Sequence, residues 1–377
     1  MMAQSSWVVH KFGGTSLADA GRYRRVANIL ESNRGESTAV VVSAMAGVTN
    51  TLVKLVENAG DRDETFRGEL RKLRKKHVEA IEELVRGDDG EALEAMLEAD
   101  LADIEDILHA LWLLRGQSEG AMNLISGYGE LWSARLLATY LVSEGKPTAC
   151  LDARDVLVVR PGELGPVVDW EMSRKKLNLW LEDREVDTVV ITGYVASTPQ
   201  GIPTTLGRNG SDFSASIFGA CLEAKSISIW TDVDGVMSAN PRLVPEAQVL
   251  DNLSYHEAME LAYFGAKVVH PSTMTPAVDA SIPIFIRNTF NPDHPGTRIH
   301  LRSEGDSTIK GFATIEEMAL INVEGTGMIG VPGIAHRLFG ALRESNVSVV
   351  MISQGSSEHS ICFVVPSNEA AQAKIAV

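Results

Sequence analysis

Val8-Val9-His10-Lys11-Phe12-Gly13-Gly14-Thr15-Ser16 is the stretch from which the rest of the chain can be read. Trp7-Val8-Val9 is β-prone and Phe12 continues its alternation, so a strand ends at two glycines. Hydroxyl residues follow, and then a helical pattern with apolar residues at Tyr23, Val26, Ala27 and Leu30. Strand, glycine turn and helix in that order set backbone N–H groups at a helix N-terminus, where they can hold phosphate. Lys11, at the end of the strand, adds a point charge beside that cradle, as phosphoryl transfer requires. The lysine precedes the glycines and no Gly-Lys-Ser/Thr follows, which separates the stretch from the P-loop. An ordinary tight βα turn has the same local signature.

Working outward, residues 38–43 form a continuous apolar run, the mark of a parallel strand buried on both faces. It ends in Ser43-Ala44-Met45-Ala46-Gly47-Val48-Thr49-Asn50, with a helix expected from about Thr51. Residues 61–115 are charged and show helical spacing broken at Gly87-Asp88-Asp89-Gly90, which predicts a helical hairpin with His77 and His109 on its surface. Leu124-Ile125-Ser126-Gly127-Tyr128-Gly129-Glu130 opens a further helix, where an acidic residue suits the helix dipole. Strands are expected at 148–151, 155–159, 187–192, 226–230 and 284–287, and helices at 213–222, about 255–263 and after Pro271. This alternation reads as an α/β sheet sandwich. Asn, Pro, Asp, Gly and His concentrate over about 288–306, a linker composition. Residues 313–377 then read as a small βαββ unit with the start of a second helix.

The 377 residues leave room for two domains, taking about 150 residues each as a prior. An apolar fraction of 45% and a charged fraction of 22% are ordinary for a globular protein. The net charge of −16 without a long basic run argues against nucleic acid or an anionic membrane as a partner. An anionic substrate would have to be held by a few local cations against the overall field. Cys150, Cys221 and Cys362 are far apart and without Cys-x-x-Cys, which fits neither a disulfide framework nor a zinc site. With no signal-peptide pattern and no run of about 18 apolar residues, a cytoplasmic location is expected.

Gly325-Thr326-Gly327-Met328-Ile329-Gly330 fits the dinucleotide fingerprint G-x-G-x-x-G. The acidic residue that should end the next strand is missing, and too little chain follows for a doubly wound sheet. A glycine loop over a βαββ unit better suits a small-molecule effector pocket. Asp232-Val233-Asp234-Gly235 resembles the start of a calcium loop, but no later acidic ligands continue it, so it reads as a turn. Lys11, Lys267, Arg208, Glu130 and Asp212 all lie in glycine- or hydroxyl-bearing loops beside strands or helix starts. Two lysines suit a nucleotide's phosphates. One Arg with two acids suits a zwitterion, with the guanidinium on a carboxylate and the acids on an ammonium.

At these residues a family resemblance becomes definite. Lys11-Phe12-Gly13-Gly14-Thr15-Ser16, the run from Val41 to Asn50, Gly129-Glu130, the run from Leu206 to Asp212, the run from Trp230 to Val236 and the run from Phe264 to Pro271 match, in order, the motifs of aspartokinases in the amino-acid-kinase superfamily. The segment 313–377 is similar to the ACT regulatory region of those enzymes. Asn209 and the run from Ser353 to Ser360 most resemble the bifunctional aspartokinase–homoserine dehydrogenases. No dehydrogenase portion is present, so the chain reads as an N-terminal piece.

The resemblance implies a three-layer amino-acid-kinase sandwich with a mostly parallel sheet over 1–306, followed by a partial ACT-like βαββ regulatory domain over 313–377. It implies ATP-dependent phosphorylation of the L-aspartate β-carboxylate, the first step toward lysine, threonine and methionine. Lys11, Gly13 and Gly14 would serve the transferring γ-phosphoryl group. Ser43, Thr49 and Ser211 would line the substrate region. Glu130 and Asp212 would take the substrate ammonium and Arg208 its α-carboxylate. Thr231, Asp232, Arg242 and Lys267 would belong to the nucleotide side, with Mg2+ carried by the phosphates of ATP and no protein metal ligand. The chain departs from the family at Met237, where a tyrosine is common, and at Asn240, where an aspartate is usual. A homo-oligomer through the ACT region is expected, with threonine or lysine as effector and a weak response from a partial ACT unit, in which Leu338, Leu342, Val349, Ile352 and Phe363 would need cover. Rival readings are another kinase of the same fold, acting on carbamate, N-acetylglutamate or a nucleoside monophosphate, and a catalytically inactive effector-binding fragment.

Overall fold

The computed structural model describes residues 7–32, 35–163, 165–182, 184–263, 271–302, 309–355 and 359–377. The chain divides into two compact units, Met1–Ala313 and Thr314–Val377.

The first unit opens with strand β1 (Trp7–Phe12), a 3-10 turn (Gly14–Leu17), helix α1 (Ala20–Glu31), strand β2 (Ser37–Val42) and helix α2 (Val48–Gly60). Asp19 starts α1 by accepting the Arg22 amide on its side chain, which satisfies one orphan N–H of the first turn. Helices α3 (Phe66–Leu84), α4 (Asp88–Leu114), α5 (Glu119–Ser126) and α6 (Tyr128–Ser143) come next. Strand β3 (Thr148–Leu151), helix α7 (Ala153–Val156), strands β4 (Val159–Arg160) and β5 (Val167–Val168) and helix α8 (Trp170–Glu182) lead to β6 (Thr188–Thr192). The hairpin β7 (Val195–Ser197) and β8 (Pro203–Thr205) precedes α9 (Gly210–Cys221), β9 (Ile227–Thr231), β10 (Asn252–Ser254) and α10 (Tyr255–Tyr263). Helix α11 (Pro271–Asp279), β11 (Ile284–Asn288) and β12 (Thr297–His300) complete the unit.

Eight strands form one sheet in the order β10-β12-β11-β9-β1-β2-β6-β3. β12 is antiparallel to β11 and parallel to β10, while the other pairings are parallel. Both faces are covered. Phe12, Val40, Val42 and Trp230 pack with α1 to α4 and α6, whereas Val9, Val41, Ile191 and Ile229 pack with α8 to α11. Continuous apolar strands are the consequence of this double cover. Burying a side chain such as Phe12 fully is worth about 2–3 kcal/mol. The register pairs Phe12 with both Val42 and Trp230, and Val42 with Thr192. The loops after β1, β2, β6 and β9 therefore leave the same edge of the sheet. Strand order reverses at β1, so that edge is a topological switch point, where open α/β sheets form their ligand crevice.

Several sequence expectations change. The stretch read as a linker, 288–306, contains β12, which joins the sheet; its Pro and Gly residues belong to the turn from β11. Gly296 has φ +78, and a Cβ there would overlap the Ile286 carbonyl, so this turn needs glycine. Residues 153–156 are helical, not part of a strand, and 119–126 is a helix of its own. α2 begins at Val48 rather than Thr51. His77 is buried rather than on the surface, because the hairpin packs on α6: its ring stands edge-on to Trp132 at 4.8 Å. Burial pushes its pKa down to about 4, and the neutral ring donates from Nδ1 to the Leu73 carbonyl at 2.8 Å. His109 is exposed, as expected.

The second unit contains β13 (Met318–Glu324), helix α12 (Ile334–Glu344), β14 (Met351–Gln354), β15 (Ser360–Pro366) and helix α13 (Ala370–Ala376). Its sheet is antiparallel in the order β13-β15-β14. Leu338, Leu342 and Phe363, expected to need outside cover, are buried by the unit's own elements together with Ile361, Val365 and Ala373. Leu320, Met351 and Ile352 remain exposed. The apolar run from Val347 reads as a strand over 347–353, but the edge strand β14 starts only at Met351.

Candidate active site

The cavity of about 530 Å³ at the switch point is built from the loops after β1, β2, β6 and β8 and from the first turns of α2, α6 and α9. β1 delivers Lys11 and the Gly13-Gly14 turn. Gly14 allows a close approach: a Cβ there would sit 2.9 Å from the Ala44 carbonyl oxygen and 3.4 Å from Ala46 Cα. That contact brings the loop after β2 against the loop after β1, and the Ser43 amide donates to the Phe12 carbonyl at 3.1 Å. The first turns of α2 and α9 then face the same space, with Thr49 on one and Ser211 and Asp212 on the other. α6 contributes Glu130 from its first turn.

Of the residues singled out in the sequence, Lys11, Gly14, Ser43, Thr49, Glu130, Arg208, Ser211 and Asp212 all line this one cavity. Gly13 is not among the lining residues; a Cβ added there would sit 3.5 Å from Lys11 Nζ. Thr231, Asp232 and Arg242 do not line it. Thr231 ends the neighbouring strand β9, and its hydroxyl donates to Asp232 Oδ1 at 3.2 Å. Arg242 is exposed, and its amide donates to Asn240 Oδ1 at 3.0 Å, so asparagine keeps the acceptor an aspartate would offer there. Met237 makes an isolated antiparallel bridge to Val249. Lys267, with the run 264–270, lies outside the described residues.

The charges in the cavity are unequal in surroundings. Lys11 Nζ and Asp212 Oδ1 form an ion pair at 2.6 Å with side chains only 12% and 15% exposed. Arg208 is exposed on the cavity wall. Glu130 is buried, and burial pushes its carboxyl up to about 8. The amides of Ala44 and of Glu130 itself and the Thr49 hydroxyl pull in the opposite direction without overcoming burial. Glu130 Oε2 has no hydrogen-bond partner. A carboxyl so placed is neutral near pH 7 and becomes an anion when a cation arrives beside it. Among the described residues no three His, Cys, Asp or Glu groups stand together as a metal-ligand set.

Tyr194 also lines the cavity and was not singled out in the sequence. It has φ +68, unusual for a bulky residue and a mark of strain near sites. Ser214 Oγ accepts its amide at 3.0 Å, and its hydroxyl lies 3.4 Å from Ser126 Oγ. The only local signal was its place after the glycine that ends β6.

Residues 6–288 match the model of the amino acid kinase family. The chain belongs to the amino acid kinase family. Residues 321–377 match an ACT domain. It is 45% identical over 371 residues to bifunctional aspartokinase/homoserine dehydrogenase 1, chloroplastic, of Zea mays, covering 97% of this chain and 40% of that protein. The corresponding bifunctional protein of Haemophilus influenzae is 36% identical over 370 residues, covering 97% and 45%. The chain thus spans less than half the length of those relatives. Among solved structures, E. coli aspartokinase III in complex with aspartate and ADP (R-state) has a TM-score of 0.81 at 30% identity, covering 95% of this chain and 78% of that one. The complex of the same enzyme with lysine and aspartate (T-state) has a TM-score of 0.80 at 30% identity, covering 96% and 80%. Among the described residues, no helix is long and apolar enough to cross a membrane.

Proposed function

We propose that this amino acid kinase transfers the γ-phosphoryl group of MgATP to the β-carboxylate of L-aspartate, yielding 4-phospho-L-aspartate and ADP. The observation that carries this reading is one cavity holding a lysine at a glycine turn, a buried carboxyl and an exposed guanidinium. A zwitterion with an additional carboxylate matches that set group by group. The similarity to aspartokinases supports the same choice.

Glu130 takes the substrate ammonium, giving up its proton as it does so. Arg208 forks onto the α-carboxylate, which its planar donors match. Ser43, Thr49 and Ser211 supply hydroxyl donors around the substrate. Asp212, paired with Lys11, fixes the direction of that ammonium, and Lys11 neutralises charge on the transferring group. Gly13 and Gly14 let the backbone approach the phosphates. The β-carboxylate attacks phosphorus in line, so no protein nucleophile is needed, and catalysis rests on positioning and charge stabilisation. Magnesium enters with ATP as part of the substrate, its ligands drawn largely from the phosphates. Thr231, Asp232, Arg242 and Lys267 are assigned to the nucleotide side.

Residues 1–306 are the proposed catalytic domain and 313–377 the regulatory one. The ACT unit is assigned an amino-acid effector, threonine or lysine, and self-association with a second copy. The cysteines, all free, fit a reducing compartment, for which the cytoplasm is the proposal. ADP release with a panel of amino acids and carboxylic acids tests the reading. Dependence on L-aspartate is expected, whereas turnover with carbamate, N-acetylglutamate or a nucleoside monophosphate, or none with any acceptor, overturns it.

A further inference from the structure

We propose that Lys76, on the helical hairpin, is a positioning residue that holds the Ala46–Gly47 peptide of the substrate loop in its binding-competent orientation. The inference rests on the aspartate kinase reading of the cavity for its kinetic arm, and on geometry alone for its structural arm.

Met45, Ala46, Gly47 and Val48 form a tight turn, closed by the Val48 amide donating to the Met45 carbonyl at 3.0 Å. Gly47 has φ +80 and ψ −10, the third-position geometry of a type II turn. Types I and II differ by rotation of the central peptide, here Ala46–Gly47. In this turn the Ala46 carbonyl accepts a hydrogen bond from Lys76 Nζ at 2.6 Å. Because the peptide is trans, the Gly47 N–H points the opposite way from that carbonyl. Ala46 and Gly47 both line the cavity.

Lys76 differs from its neighbours on α3. Lys72, Arg74 and Lys75 carry surface ion pairs to Glu69, Glu98 and Glu79 with lysine or arginine side chains at least half exposed. Lys76 is half-buried, and its burial lowers the ammonium's pKa while the charge of Asp19 opposes that shift. Its contact on the loop is a backbone carbonyl rather than a carboxylate. The same loop is held from the other sides, by Gly14 against Ala44 and Ala46 and by the Ala44 amide on Glu130.

Removal of the ammonium frees the central peptide to rotate toward type I, which brings the Ala46 carbonyl to the opposite side. An acceptor then replaces a donor next to an anionic substrate, in a protein whose net charge is already −16. The ammonium on the carbonyl also polarises the shared peptide, strengthening the Gly47 N–H as a donor.

The test compares wild type, Lys76→Met, Lys76→Arg and Gly47→Ala in the full chain, by aspartate-dependent ADP release and by crystal structure. Lys76→Met should raise the aspartate KM about tenfold with kcat changed less than threefold, since one charged hydrogen bond is lost without touching the reacting groups. Lys76→Arg, which keeps a cation within reach of the carbonyl, should restore KM to within about threefold. Gly47→Ala, which disfavours a positive φ, should raise KM in the same direction. An unchanged KM in Lys76→Met, or a fall confined to kcat, overturns the inference. Wild type without aspartate-dependent turnover would instead refute the kinase reading. The crystal structure then decides the inference alone: a rotated Ala46–Gly47 peptide in Lys76→Met supports it and an unrotated one overturns it. If Lys76→Met fails to fold, Lys76→Gln, which removes the charge but keeps a polar side chain, is measured in the same two ways and decides by the same outcomes.

Discussion

Replacing Glu130 by glutamine should make the first unit more stable and destroy aspartate binding, and the size of the gain should depend on pH. Burial raises the Glu130 carboxyl from 4.5 to about 8. An acid whose folded-state pKa is raised contributes its full stability below the unfolded value, here 4.5, and loses it as pH rises through the folded value. Between those limits the unfolded chain has lost a proton that the native protein keeps, so stability falls by about 1.4 kcal/mol per pH unit. The deficit reaches about 3 kcal/mol at pH 7 and levels off near about 5 kcal/mol above pH 8, as order-of-magnitude figures for a fully buried carboxyl. The neutral amide of the variant ionises in neither state and carries no such loss. Urea unfolding followed by tryptophan fluorescence reads this unit alone, because all six tryptophans lie within residues 1–313. The stability difference, variant minus wild type, should grow by several kcal/mol from pH 5 to pH 8 and then flatten. A difference that stays constant with pH, or one that shrinks as pH rises, refutes the assignment of a neutral buried Glu130. Saturating aspartate should stabilise wild type and leave the variant unmoved, separating the site's cost from its use.

The same carboxyl predicts that aspartate binding at pH 7 releases a proton, with affinity improving up to about pH 8; calorimetry in buffers of different ionisation enthalpy that finds no release would count against it. Lys11→Met should lower kcat on the order of 10²-fold or more, because it removes charge aimed at the transferring group; an effect confined to the ATP KM would assign Lys11 to ground-state binding. Arg208→Lys keeps the charge but loses the planar fork, so the aspartate KM should rise with ATP affinity little altered, and the reverse pattern would move Arg208 to the nucleotide side. Gly14→Ala sets a methyl 2.9 Å from the Ala44 carbonyl oxygen, so the first two loops must separate; activity should fall at least tenfold, on the order set by misplacing reacting groups by a fraction of an ångström, and a fully active variant would show that this contact is dispensable.

Much of the fold could be read from local pattern. Alternation and apolar runs marked β1, β2, β6 and β9, and glycines after each strand marked the loops, because period and turn chemistry are properties of neighbouring residues. The motif order also pointed to the residues that line the cavity, from Lys11 to Asp212. Composition misled where a strand was short: the Pro- and Gly-rich stretch before β12 is a turn within the sheet, and β12 itself, only four residues long, is fixed by pairing with β10 and β11.

What the sequence determined by itself is which groups exist and on which elements: a lysine ending a strand, acids opening helices, glycines where backbones must turn. Only the tertiary structure decided their states. Glu130 is one more first-turn carboxylate until α2 and the loop after β2 bury it, and the residues that do so lie some eighty positions earlier in the chain. Tyr194 takes its positive φ, His77 its neutral ring and Lys76 its carbonyl partner from segments remote in sequence. Burial, and the electrostatics that follow from it, depend on what the rest of the chain places around a group, which no local pattern encodes.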